Sequence, residues 1–179
     1  YTVFTGRDYE EKIKNSGGVK VPTRVGHTFI KETMRQKDIL FACEHSGHYY
    51  YKEYFYTDSV VLTLRYVLEI FNIAKANGVT FSEMMKSYLL YKQTENALVE
   101  VSDTKKSLEL TKQFLLTKKP ISIKTFDGVV IDVGDTWGVV KVSVTEQAIN
   151  IMFESEVKAK AQLIQDEIVV FVKGVAKTS

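Results

Sequence analysis

Short apolar runs alternate with amphipathic segments through the first half of this chain, and that rhythm narrows the fold more than any other feature. Residues 1–5, 19–22 and 39–43 read as strands, with Asp8–Asn15 and residues 26–36 as the helices between them. Gly17-Gly18 closes the first helix, and Phe29, Ile30 and Met34 share one face of the second. A tyrosine-rich strand starts at Tyr49. A long helix over 59–77 follows, apolar on most faces, with Asp58 as N-cap and Gly78 just past its end. The βαβαβ order predicts an α/β class, a partial parallel α/β sandwich of βαβ units covered by helices.

A polar stretch over 86–95 separates the halves, and the second half has a different rhythm. A strand over 97–101 leads to a helix capped by Ser102 and running to about Lys118, where Pro120 stops it. Strands over 121–124, 129–133, 139–143 and 148–153 follow, with Asp127-Gly128 and Gly134-Asp135 as turns. A last helix over 156–173 lines up Val157, Ala161, Ile164, Ile168 and Phe171 on one stripe. This predicts a small α+β domain with a mostly antiparallel sheet and two helices. Domains are expected over 1–88 and 89–179.

The charged share of 26% and hydrophobic share of 45% are those of a globular protein. A net charge of only +2 gives no electrostatic ground for nucleic acid or an acidic membrane as partner. The most apolar run, 60–74, is broken by Arg65 and Glu69, the wrong pattern for a membrane span. A single cysteine, Cys43, excludes an internal disulfide framework and fits a cytoplasmic location. The chain opens without Met on a strand-like run, the expectation for a piece of a longer protein.

All three histidines fall within the 26 residues from Thr23 to His48. Thr23-Arg24-Val25-Gly26-His27 and Glu44-His45-Ser46-Gly47-His48 together offer a carboxylate, a hydroxyl, a guanidinium and imidazoles. Glu accepts from two neighbouring hydroxyls, Ser donates or accepts, Arg holds a dianion, and His moves a proton near neutral pH. The set suits a ligand with vicinal hydroxyls and a phosphate. His45, His48, Glu44 and His27 are also residue types that bind zinc, the competing reading of the same cluster. Tyr49, Tyr50, Tyr51, Tyr54 and Tyr56 read as packing residues of a sheet rather than a base-stacking surface. Cys43 reads as a small buried residue, Lys118-Lys119 as a solvated helix end, and Lys31 as a surface or ion-pair residue.

Thr23-Arg24-Val25-Gly26-His27-Thr28-Phe29-Ile30-Lys31 followed by Cys43-Glu44-His45-Ser46-Gly47-His48 resembles domain 3 of the α-D-phosphohexomutases, in their phosphomannomutase/phosphoglucomutase branch. Tyr56-Thr57-Asp58-Ser59, Phe126-Asp127-Gly128, Trp137-Gly138 and Ser143-Val144-Thr145-Glu146 fit the same family. The resemblance covers the whole chain, as the later part of domain 3 plus domain 4. It implies an isomerase, an intramolecular phosphotransferase that interconverts hexose 6-phosphate and hexose 1-phosphate of mannose or glucose. The resemblance further implies a hexose 1,6-bisphosphate intermediate or activator, and a magnesium ion whose ligands are not in this chain. It implies the missing amino-terminal domains as partners, which hold the phosphoserine, so this fragment alone is expected to be inactive. Glu44, Ser46 and His48 would bind the sugar, and His27 and Arg24 would act at the reacting end. No resident metal is expected in this chain.

The family's distal phosphate loop, Arg-x-Ser-Asn-Thr-Glu-Pro, is matched by Lys141-Val142-Ser143-Val144-Thr145-Glu146-Gln147. Lys141, Ser143 and Thr145 would then bind phosphate. Lys141 replaces a planar fork by a point charge, and a β-branched Val144 stands where a residue suited to positive φ is usual. Those departures keep a second class open: a non-catalytic sugar-phosphate-binding or structural fragment.

Overall fold

Two units, Tyr1–Leu90 and the chain from Tyr91 on, make up this protein. The structure, a computed structural model, describes residues 1–86 and 88–177, without the side chains of Glu10, Glu11 and Lys177. Ser87, within the polar stretch expected to join the halves, lies outside the described residues.

The first unit holds helices α1 (Asp8–Asn15), α2 (His27–Lys37), α3 (Val60–Ala76) and α4 (Phe81–Lys86), with strands β1 (Phe41–Cys43), β2 (Tyr49–Tyr51) and β3 (Thr57–Asp58). The α/β class holds, but the three strands pair antiparallel in the order β1-β2-β3. The physical reason is the length of the connections. Cys43 pairs with Tyr49, and the five residues between them cannot make the crossover of a dozen or more that a parallel pair requires. The parallel expectation survives at one place. The Tyr1 nitrogen donates to Val21 O (3.0 Å) and Thr23 N donates to Tyr1 O (2.9 Å), two bonds that straddle Pro22 in the manner of a parallel pair. Proline itself has no N–H to extend the ladder, and the runs 1–5 and 19–22 form no assigned strand.

Ile30 and Met34 of α2 pack on Ala42 and Tyr50, which makes a small core between helix and sheet. Alternation along β2 sends Tyr50 to that core and Tyr49 and Tyr51 to the opposite face. There Phe41 stacks on Tyr49 (ring centroids 6.2 Å apart), and Tyr51 stacks on Tyr66 of α3 (5.6 Å). Ser59, not Asp58, caps α3 and accepts from Leu62 N at 3.3 Å. Of α3's apolar residues only Ala74 is buried; Val60, Val61, Leu64, Leu68 and Ile73 are exposed. Among the described residues no helix is long and apolar enough to cross a membrane.

The second unit runs β4 (Lys92–Gln93), β5 (Ala97–Glu100), α5 (Thr104–Thr117), β6 (Ser122–Thr125), β7 (Val129–Asp132), β8 (Thr136–Val142), β9 (Ala148–Ser155) and α6 (Lys158–Lys177). Its sheet is antiparallel throughout, in the order β4-β9-β8-β7-β6, with β5 on the same edge of β9 as β4. Register places Val129 opposite Val140, Val140 opposite Ile151, and Ile149 opposite Val99. With Ile131 and Phe153 these form one apolar face, on which Leu115 of α5 and Ala161, Ile168 and Val172 of α6 pack. The cap of α5 is Asp103, one residue beyond the expected Ser102, and it accepts from Lys106 N at 2.9 Å. Between β4 and β5, Thr94 is buried, and its hydroxyl and amide both bond to the backbone of Phe153.

Candidate functional site

The loop 44–48 is the turn of the β1–β2 hairpin. Glu44 N donates to His48 O (3.0 Å) and Gly47 N donates to Glu44 O (3.1 Å), with Gly47 at φ +83. That is a tight turn closed by one left-handed residue, the arrangement that pairs a three-residue loop with a glycine bulge. It pushes His45 and Ser46 into solvent while leaving Glu44 half-buried at the base.

Glu44 is the hub. Its Oε2 accepts from the Tyr50 hydroxyl at 2.6 Å, and its Oε1 accepts from Gly26 N at 3.3 Å. The Gly26 bond ties the hairpin to the segment 23–27, so the two histidine-bearing segments meet at one carboxylate. Gly26 precedes the first residue of α2 and takes φ +121, a conformation that side-chain-bearing residues rarely adopt. The start of a helix carries partial positive charge, which suits a carboxylate held there. Burial and the Glu44 carboxylate both hold the Tyr50 phenol protonated well above the usual tyrosine range.

Ser46 Oγ and His48 Nδ1 lie 2.8 Å apart, and the same His48 nitrogen is 3.9 Å from Glu44 Oε2. Glu44, Ser46 and His48 thus form a short polar row, with the last two exposed. His27 opens α2 and is exposed beside Gly26. The Arg24 guanidinium lies over the Phe29 ring, 4.1 Å from its centre. Lys31 Nζ is 4.0 Å from Asp58 Oδ1, an ion pair at the surface. Cys43 is half-buried, and burial pushes its thiol up, away from a reactive thiolate. Among the described residues no three His, Cys, Asp or Glu side chains come together as a metal site.

An apolar cavity of about 760 Å³ lies on the opposite side of β2, lined by Leu40, Phe41, Tyr49, Tyr51, Val67 and Ile70 among others. Its walls offer few polar partners, so it does not suit a polyol. The polar row around Glu44 does.

Within the second unit, Lys141 points its ammonium at Asp127 Oδ1, 2.5 Å away, and both side chains are more than nine-tenths buried. Ser143 Oγ accepts from Thr145 N (3.4 Å) and Glu146 N (3.2 Å), and Ser143 N donates to Ala148 O (2.9 Å). A serine-centred turn therefore shapes this loop. Val144 is not among the described residues with positive φ, so it carries no left-handed strain. Thr145 and Val144 are exposed. Two partners escaped the sequence reading. Tyr50 was concealed in a run of tyrosines that reads as sheet packing, although its parity places it on the α2 side. Asp127 reads as a turn residue and part of a family match, with nothing in the sequence to pair it with Lys141.

A family model described as phosphoglucomutase/phosphomannomutase, alpha/beta/alpha domain III, matches residues 1–91. The chain is 30% identical over 156 residues to a phosphomannomutase of Methanocaldococcus jannaschii, which covers 87% of this chain and 33% of that protein. It is 31% identical over 159 residues to a phosphomannomutase/phosphoglucomutase of Pseudomonas syringae pv. tomato, covering 86% and 33%. A phosphoglucomutase/phosphomannomutase family protein of Burkholderia thailandensis has a solved structure that superposes with a TM-score of 0.81 at 22% identity, over 98% of this chain and 38% of that one. This last likeness is one of fold. The chain spans about a third of the length of the curated relatives it matches.

Proposed function

Because this chain belongs to the phosphoglucomutase/phosphomannomutase family, we propose that it is the sugar-gripping part of a phosphohexomutase. The full-length protein would interconvert hexose 6-phosphate and hexose 1-phosphate, of mannose or glucose, through a hexose 1,6-bisphosphate. The observation that carries this reading is the bond from Gly26 N to Glu44 Oε1, which joins the two histidine-bearing segments at one carboxylate. Glu44 and Ser46 offer acceptors and a donor to adjacent hydroxyls. Swapping two neighbouring hydroxyls preserves that pattern, as a sugar presented in two orientations requires. His48 adds a third polar contact. His27 would accept a proton from the attacking hydroxyl, and Arg24 would offset phosphoryl charge. Lys141, Ser143 and Thr145 would meet the distal phosphate. The phosphoserine and magnesium are assigned to the amino-terminal domains, and no step through the metal is drawn from the residues present.

One observation favours a second reading, a non-catalytic sugar-phosphate-binding or structural fragment: Lys141 is already held by Asp127 and is mostly buried. A coupled assay of the full-length protein with glucose 1-phosphate or mannose 1-phosphate, magnesium and the bisphosphate separates the two. The first reading expects turnover that falls at least about tenfold in Glu44→Gln, the loss of one charged hydrogen bond, and none from this chain alone. No turnover by the full-length protein, whether or not hexose phosphate binds, would establish the second.

A further inference from the structure

We propose that Tyr50 is a positioning residue of the sugar site, holding the Glu44 carboxylate in the orientation that receives two neighbouring hydroxyls. The proposal rests on the reading of Glu44 as a sugar contact and deepens it. Tyr50 is fully buried, with its ring in the core formed by Ile30, Met34 and Ala42. A tyrosine whose ring is locked on all sides can aim its hydroxyl at one place only, and here that place is Glu44 Oε2, at 2.6 Å. The other oxygen accepts from Gly26 N at 3.3 Å. A carboxylate has about four lone-pair sites, two on each oxygen. One site on each is taken by the protein, and one on each is left. The two that remain are held in one plane at a fixed spacing, the arrangement that a pair of vicinal hydroxyls needs.

The competing explanation is that Tyr50 is a core residue whose hydroxyl merely needs a partner. The hairpin argues for more. Glu44 is the first residue of a turn that is otherwise exposed from His45 to His48. His48 Nδ1 lies 3.9 Å from Oε2, beyond hydrogen-bond reach, so the Tyr50 hydroxyl is the contact that fixes this oxygen. Phenylalanine at position 50 would fill the same core and surrender only that hold.

Equilibrium binding of mannose 1-phosphate to the full-length protein tests this in a double-mutant cycle with Tyr50→Phe and Glu44→Gln. The expected result is a loss of about tenfold in affinity for Tyr50→Phe, the scale of a hydrogen bond to a charged group. In the Glu44→Gln background the same change should cost less than about twofold. Ile30→Val serves as a control: it loosens the same core without touching Glu44, so it should lower Tm and leave affinity unchanged. An unchanged affinity in Tyr50→Phe, or losses that multiply in the double variant, overturns the proposal. So does an affinity loss in Ile30→Val that matches its loss of Tm, since packing would then explain everything. If Glu44→Gln alone leaves affinity intact, the sugar-site reading itself falls and takes the proposal with it. That outcome is distinct from a failure of Tyr50 alone.

Discussion

Lys141 and Asp127 form an ion pair, 2.5 Å from Nζ to Oδ1, with side chains only 8% and 5% exposed. Removing one partner of a buried pair leaves a charge without compensation, which costs about 3–5 kcal/mol, whereas removing both is far milder. Lys141→Met should therefore destabilise the protein strongly, and Lys141→Met with Asp127→Asn should recover most of the loss. Chemical denaturation of the parent and the two variants measures this. Equal stability of the single variant and the parent would show the pair to be energetically idle.

Gly138 sits opposite Phe153 in the β8–β9 ladder, and the ring covers the glycine. A Cβ there would stand 2.2 Å from Phe153 Cδ1, closer than any real contact. Gly138→Ala forces the ring aside in a packed core, a strain of about 1–3 kcal/mol. Thermal melts should show the drop, and Phe153→Leu in the same chain should relieve part of it.

Gly26 poses a different constraint. A Cβ at that position meets only the Phe29 ring at ordinary contact distance, but φ +121 is a conformation that side-chain-bearing residues rarely adopt. Gly26→Ala should cost about 1–3 kcal/mol through backbone strain, and it should also draw the Gly26 N–H off Glu44. Hexose phosphate affinity of the full-length protein should fall together with Tm. A lowered Tm with affinity untouched would mean that the bond to Glu44 has no part in binding.

Asp38, the residue after α2, has φ +53 and accepts from Lys52 Nζ (2.6 Å) and Tyr56 OH (2.8 Å). The Lys52 bond, then the Tyr56 bond, hold its carboxyl below the usual range, and the Asp38 bond raises Lys52. A lowered carboxyl value contributes stability above the unfolded pKa and loses it as pH falls through the folded one. Raised Lys52 contributes below its unfolded value and loses it as pH climbs through the folded one. Asp38→Asn keeps a side chain that tolerates the left-handed backbone. It should flatten both the acid and the alkaline limbs of a Tm-against-pH curve. The difference from the parent should shrink in high salt, because all three groups lie at the surface.

The second unit was legible because each of its strands alternates. Val129 and Ile131, Val140, and Ile149, Ile151 and Phe153 declare one face, and antiparallel neighbours joined by Asp127-Gly128 and Gly134-Asp135 leave little freedom of topology. The first unit was harder. Its continuous apolar runs carry no face, so strand direction was inferred from rhythm, and only the five-residue connection from Cys43 to Tyr49 betrays the hairpin. Closeness of the segments 23–27 and 44–48 was suggested by their chemistry. The bond that joins them uses a backbone N–H, which no residue type announces. Lys141 and Asp127 are 14 residues apart, and their pairing depends on how a turn folds back over a strand, beyond the reach of periodicity.

Strand β9 pairs with β8 on one edge and with both β4 and β5 on the other. Thr94 closes its bonds to Phe153 across 59 residues of chain. During synthesis, then, β4 and β5 leave the ribosome with no partner and must wait until residues 148–155 have emerged. The second unit cannot assemble piecemeal from its front end; it closes late, around one strand near its end. Such long-range pairing folds slowly, and a chain stopped before Ala148 would leave β4 and β5 with no strand to pair them.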